Sequence, residues 1–164
     1  MENELRLRPP QNRVDERAVR WWTAQAVVSV TLPLVALAVA YVLARGARDW
    51  LGIALAAGAV AALAYVVVMP RWRYRVHRWE TTPDAVYASS GWLLQEWRVA
   101  PLSRVQTVDT LRGPLQQLFG LASVTVTTAS AKGAITIDGL DHELAREVVH
   151  RLTETTQAIP GDAT

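Results

Sequence analysis

Few side chains in this protein are of types that do chemistry, and their spacing argues against it. There are 3 histidines (His77, His142 and His150) and no cysteine. Without a thiol, disulfides and thiolate metal sites are excluded. His142-Glu143 begins like a zinc-protease helix, in which a second histidine four positions after the first completes the metal-binding face. Position 146 is Arg146, so that face is missing. Neither a Gly-rich phosphate loop nor a Gly-x-Ser-x-Gly elbow occurs. The expectation is a protein with no catalytic residues, no metal and no cofactor. What remains is charge. Arg71, Arg73, Arg75 and Arg78 form a basic collar directly after a long apolar run. Cations placed there set membrane topology and also attract anionic phospholipid, each contributing about 1 kcal/mol near a charged surface.

The collar takes its meaning from residues 21–70. Trp21 to Ala44 and Trp50 to Pro70 carry no charged residue, and Arg45-Gly46-Ala47-Arg48-Asp49 separates them. As helices these runs reach roughly 36 Å and 31 Å, against a hydrocarbon core of about 30 Å. A lipid interior requires backbone polar groups to be satisfied within the segment, so the two runs read as a transmembrane helical hairpin, 21–44 and 50–70. The first run is longer than the apolar core of a signal peptide and a second follows at once, so cleavage is not expected.

Five arginines precede the first span, two lie in the loop and four follow the second. Cytoplasmic flanks collect Lys and Arg, which puts both termini inside. Trp21, Trp22 and Trp72 are expected at the inner interface, Tyr41 and Trp50 at the outer one. Pro33 removes one helical hydrogen bond, and Ser29 and Thr31 stand close enough to compensate. Ala54, Gly58 and Ala62 offer a small-residue face for helix–helix packing, first of all against the other span. The polarity within the spans comes from Thr23, Gln25, Ser29 and Thr31, all in the first half of the first one, which is too shallow to line a pore.

Residues 1–20 read as a solvated cytoplasmic tail and 157–164 as a frayed C-terminal one, leaving 71–156 for one small domain. Residues 81–164 carry six basic and nine acidic residues, an acidic balance that argues against a nucleic-acid partner. The pattern there is of short β-type runs: 72–80, 85–88, 92–99, 105–111, 123–128 and 134–137. Thr82-Pro83-Asp84, Ser90-Gly91 and Ala131-Lys132-Gly133 supply turns. In the third run Trp92 and Leu94 share one parity and Trp97 and Val99 the other, so a bulge is expected near Gln95-Glu96. Leu144, Val148 and Leu152, with Ala145 and Val149, give an amphipathic helix over 141–156, with Glu147 and Arg151 as an i,i+4 pair.

Several of these stretches occur in an order that resembles a known family. They are Tyr74-Arg75-Val76, Ser90-Gly91, Pro101-Leu102-Ser103-Arg104-Val105-Gln106-Thr107-Val108, Gly113-Pro114-Leu115-Gln116-Gln117-Leu118-Phe119-Gly120-Leu121-Ala122-Ser123-Val124, and Ile137-Asp138-Gly139-Leu140. The chain resembles the bacterial pleckstrin-homology-like (PH-like) membrane proteins over roughly residues 20–156. The resemblance implies a membrane-anchored α+β protein of the bacterial plasma membrane. Its two-helix hairpin would precede a small antiparallel PH-like β-barrel or sandwich capped by a C-terminal helix. It implies no reaction. Eukaryotic members of this fold often hold phosphoinositides through basic residues between the first two strands. Here that loop is Glu80-Thr81-Thr82-Pro83-Asp84, acidic and without Lys or Arg.

The function expected is a non-enzymatic interaction module at the inner face of the membrane, binding a protein partner or itself. The alternative is a small channel or transporter subunit in which the hairpin oligomerises and the domain regulates it. Leu115, Leu118 and Phe119, apolar at helical spacing, are expected to cap the open end of the barrel or to meet a partner. The orientation is directly testable. In whole cells, Gly46→Cys should react with an impermeant thiol reagent and Ala131→Cys should not; the reverse labelling would place the domain outside.

Overall fold

The computed structural model describes residues 10–129 and 133–158. Two long helices come first. Helix α1 (Arg17–Leu43) runs unbroken through Pro33, and Ser29 Oγ and Thr31 Oγ1 donate to the carbonyls of Ala26 and Val27 at 2.8 and 2.7 Å. A short 3-10 turn (Arg45–Ala47) leads into α2 (Arg48–Val76), and the two helices pack along each other as a hairpin. Both are long and apolar enough to cross a membrane. Gly58 faces α1: a Cβ there would stand 3.4 Å from Leu34 Cδ2. Ala62 is half-buried, whereas Ala54 is exposed and Leu55 takes its place on the packed side. The contact follows 55, 58 and 62 rather than a strict four-residue repeat, because the helix needs alternating steps of three and four to hold one face.

The second helix does not stop at Pro70. It continues for six residues past it, so Trp72 to Val76 is helix where alternation suggested strand. A proline removes one hydrogen bond but does not force an end when packing holds both sides, and here Met69 and Pro70 are buried.

Among the described residues seven strands follow or precede this turn of the chain. β1 (Asn12–Arg13), β2 (Arg78–Thr81), β3 (Ala85–Gly91) and β4 (Gln95–Pro101) form one antiparallel sheet in that order. β5 (Val105–Leu111), β6 (Leu121–Thr128) and β7 (Ile135–Asp141) form a second. The sheets stay separate, so the domain is an open sandwich and not the closed barrel that was one of the two forms expected. Between β5 and β6 sits α3 (Pro114–Phe119), and α4 (His142–Ala158) closes the chain. The turn expected at 131–133 falls largely, and the C-terminal tail mostly, outside the described residues.

The β3–β4 pairing is regular from Ala85↔Pro101 to Gly91↔Gln95. The bulge expected at Gln95-Glu96 is therefore absent. The parity change arises because Trp92, Leu93 and Leu94 form the loop and are not strand residues. Register shifts occur instead between Val105 and Thr107 of β5, and opposite Ala122 to Val124 in β7, so that each neighbour of β6 carries one extra residue there.

The core joins all of this. Val86, Val124, Val126, Leu121 and Leu140 are fully buried, and on α4 the buried stripe is Ala145, Val148 and Leu152, with Leu144 at its rim. Val14, Ala18, Trp21 and Trp22 belong to the same cluster. The stretch read as a solvated tail thus supplies a strand, a core valine and the first turn of α1, and Trp21 and Trp22 are core residues rather than an aromatic belt. Gly139 makes this docking possible. With φ +76° it adopts a conformation that L side chains avoid, and a Cβ there would stand 2.8 Å from that of Ala18. Trp22 is the largest fully buried side chain. Trp22→Ala should cost about 3–5 kcal/mol, read as a lower denaturation midpoint of the full-length protein in micelles; an unchanged midpoint would remove Trp22 from the core.

Candidate functional site

The most polar part of the interior lies where the two apolar helices enter the domain. Arg73, near the end of α2, turns inward. Its guanidinium stacks over the Trp22 ring at 4.8 Å, and Nη2 meets Asp138 Oδ2 of β7 at 3.4 Å. The other carboxylate oxygen of Asp138 accepts from Ser123 Oγ at 2.7 Å, and Ser123 accepts from Gln116 Nε2 at 2.7 Å. Gln116 Oε1 in turn accepts from the Gly113 N–H at 2.8 Å, fixing the start of α3. One relay of side chains therefore runs from α2 through β7 and β6 to α3. Gln116 and Ser123 are buried, so each bond replaces one that water would otherwise make.

His77 completes the seam. Its ring lies 4.9 Å from that of Trp22, Nδ1 stands 2.9 Å from the Arg73 carbonyl oxygen, and Arg73 Nε points at Nε2 from 3.4 Å. With a carbonyl on one side and an N–H on the other, the neutral imidazole carries its proton on Nδ1. Burial, and then the Arg73 charge, push its pKa down to about 4.

A second cluster pins the start of α1. Arg17 binds Asp15 Oδ1 through Nε at 2.9 Å, reaches Asp141 through Nη2, and donates to the Phe119 carbonyl. Asp141 also accepts from the N–H groups of Glu143 and Leu144 at 2.8 and 3.3 Å, capping α4. The Arg17 hydrogen bond holds Asp15 below the ordinary carboxylate range. For Asp141 burial acts upward, but the Arg17 and backbone bonds outweigh it and leave the group lowered. Gly120 ends α3 at φ +67°, a conformation that L side chains avoid, and a Cβ there would stand 2.8 Å from Arg17 Nη1.

Two open cavities flank the Arg73–Asp138 pair. One, about 450 Å³, is lined by Trp21, Gln25, Leu111, Pro114 and Leu115 as well as the pair; the other, about 350 Å³, lies toward His77, Ser90 and Arg98. Among the described residues no three His, Asp or Glu side chains converge as metal ligands would.

An antiparallel sandwich of four and three strands, closed by a C-terminal helix and entered from two apolar helices, now has a match in sequence. Residues 23–156 match the bacterial PH domain family. The chain belongs to that family. A protein of Bacillus subtilis (strain 168) named UPF0699 transmembrane protein YdbS is 28% identical over 152 residues, covering 90% of this chain and 95% of its own. No solved structure matches.

The basic collar is divided in this bacterial PH domain. On a helix, Arg71 and Arg75 share a face, and Arg78 at the start of β2 joins them with Arg13 around an opening of about 540 Å³. Arg73 points to the opposite side and belongs to the relay. The four arginines expected to act together as one collar therefore do not share a face. In α3, Leu115 and Phe119 pack against the core, and Leu118 is 76% exposed. Sequence reasoning missed Trp22, Asp138, Ser123 and Gln116. None of these has a local signature, although a carboxylate in the strand stretch before Gly139 was visible as part of the family pattern.

The His77 seam gives a pH prediction. Unfolded, the ring takes up a proton as pH falls through its ordinary 6.5; folded, it resists until about 4. Its contribution is complete above about pH 6.5 and is lost on the way down, by roughly 3 kcal/mol in all. The lowered carboxylates Asp15 and Asp141 stabilise above their ordinary range and lose that contribution only as pH falls through their lower folded values. Denaturation midpoints from about pH 7 to about pH 4.5 should therefore fall in the wild type and much less in His77→Gln. Parallel curves for the two would exclude the imidazole as the cause.

Proposed function

We propose that this protein is a non-enzymatic interaction module, a PH domain held at the inner face of the plasma membrane to bind a protein partner or a second copy of itself. The observation that carries this reading is the β5 edge. Sheet order leaves β5 with one strand neighbour, β6, among the described residues, and five of its seven residues are exposed. Leu111, at its end, is 67% exposed, and Leu118 of α3 is 76% exposed. An edge strand with unpaired backbone groups beside exposed leucines suits addition of a further strand, in which main-chain bonds give affinity and side-chain pockets give specificity. The membrane setting is supported by the two helices and by the relative named a transmembrane protein. The inward orientation rests on the arginine distribution.

A channel or transporter subunit is the less favoured reading. Thr23, Ser29 and Thr31 spend their hydroxyls on carbonyls of their own helix, at 2.7, 2.8 and 2.7 Å, which leaves little polarity to line a pore. Arg71, Arg75 and Arg78 are proposed to contact anionic headgroups, since they open together beside the end of α2.

A photocrosslinking amino acid at Asp109, exposed on β5, should trap a defined partner or a dimer in native membranes. Recovery of the isolated monomer alone would count against the module. For the collar, amide exchange across 71–78 in nanodiscs should be slower with anionic than with zwitterionic lipid, and equal exchange would leave these arginines a topological role only.

A further inference from the structure

The β3–β4 hairpin ends in three consecutive apolar residues, Trp92, Leu93 and Leu94. Hairpin loops normally carry Gly, Asn, Asp or Ser, which satisfy turn geometry and face water. Here Gly91 alone meets the geometric demand. Its φ is +109°, and a Cβ on it would lie 1.8 Å from the Leu94 carbonyl oxygen, so the loop is tightly folded back on itself. Leu93 is 76% and Leu94 87% exposed, and Trp97 on the following strand is 56% exposed. None of the three belongs to the domain core.

The position of this loop is fixed by an aromatic contact. The Trp92 ring packs edge-to-face on Tyr65 of α2, with centroids 5.7 Å apart. Tyr65 lies within the uncharged run that ends at Pro70, five residues before its end. Along a helix that is about 7.5 Å back toward the middle of the span. The loop thus hangs below the point where α2 leaves the apolar region. The α2 surface near this level is itself apolar and uncovered: Val67 and Val68 are 44% and 50% exposed.

We infer that the Trp92-Leu93-Leu94 tip is a membrane-seating wedge, inserted into the same leaflet from which α2 emerges. Its occupant is lipid, at the boundary of headgroups and acyl chains. Two observations favour lipid over a protein partner: the tip sits at the depth of the span, and its apolar surface continues that of α2. Depth is limited by chemistry. Loop backbone cannot enter the hydrocarbon centre unsatisfied, so the tip reaches only the interfacial layer, about 5–10 Å deep, where Trp is favoured. With α1 and α2 as one attachment and the hairpin tip as another, the domain is held in a fixed attitude to the bilayer. The inference rests on the helices crossing the membrane, not on partner binding.

The absence of cysteine allows single-site labelling of the full chain. An environment-sensitive fluorophore is placed on Leu93→Cys, on Leu63→Cys within α2, and on Glu147→Cys on α4, each in nanodiscs holding one protein. The probes are lipid spin-labelled near the headgroup end of its acyl chains, and iodide in the water. The Leu93 and Leu63 fluorophores should lose emission to the spin-labelled lipid and be protected from iodide, and the Glu147 one should show the opposite. If Leu63 is quenched by lipid while Leu93 behaves like Glu147, the wedge is overturned and the span stands. Protection of Leu93 from iodide without quenching by lipid overturns it too, in favour of a protein cover. Failure of lipid to quench Leu63 overturns the span and the wedge together.

Discussion

The interior contact between Trp22 and the Arg73–Asp138 pair is the constraint on which the rest of the molecule depends. Trp22 comes from the start of one apolar helix and is fully buried, and Arg73 comes from the end of the other and lies half-buried over it. A guanidinium partly withdrawn from water is destabilising unless paired and hydrogen-bonded. Asp138 supplies the pairing, and the indole face supplies a further attraction. Asp138 is held in turn by Ser123, and Ser123 by Gln116. The ends of the hairpin and the inner surface of the second sheet therefore cannot be moved independently.

That coupling makes the domain and its anchor one folding unit. A module tethered by a flexible linker can sample many orientations above a membrane. Here no linker exists on either side. Val14 and Ala18 are in the core immediately before the first apolar run, and α2 passes from its apolar stretch to the buried His77 without leaving helix until Val76. The Arg17 clamp, which reaches Asp15, Asp141 and the end of α3, fixes the entry of α1 in the same way. A partner that bound the β5 edge would meet a surface whose height and tilt over the bilayer are set by the fold.

Local periodicity failed where tertiary packing replaced local propensity. Alternating Arg and apolar residues across 72–80 looks like a strand, yet the first half is helix. The helix is continuous with a packed span, and extending it adds one hydrogen bond per residue, whereas a strand carried back before His77 would outrun β3, which ends at Gly91. The N-terminal stretch looked solvated because its charges outnumber its apolar residues. Only two of the latter, Val14 and Ala18, are needed to make it part of the core. Leu118 and Leu115 are equivalent by type and helical spacing, and only the position of α1 decides that one packs and the other is exposed.

The sequence alone determined the properties that depend on composition along the chain. Two uncharged runs long enough for a bilayer, the alternation of Val124 and Val126 with threonines, the stripe on α4 and the lack of a nucleophile or metal-ligand pattern are all local. Their free energies come mainly from transfer out of water, which each residue carries with it. The ordered motifs added the PH-like sandwich. Tertiary structure decided what depends on pairs distant in the chain: the relay from Arg73 to Gln116, the neutral state of His77, the split of the collar, and the level at which Trp92 meets Tyr65. Directional interactions are satisfied only when two groups arrive at bonding distance, and no spacing rule along one segment specifies where the other segment will be.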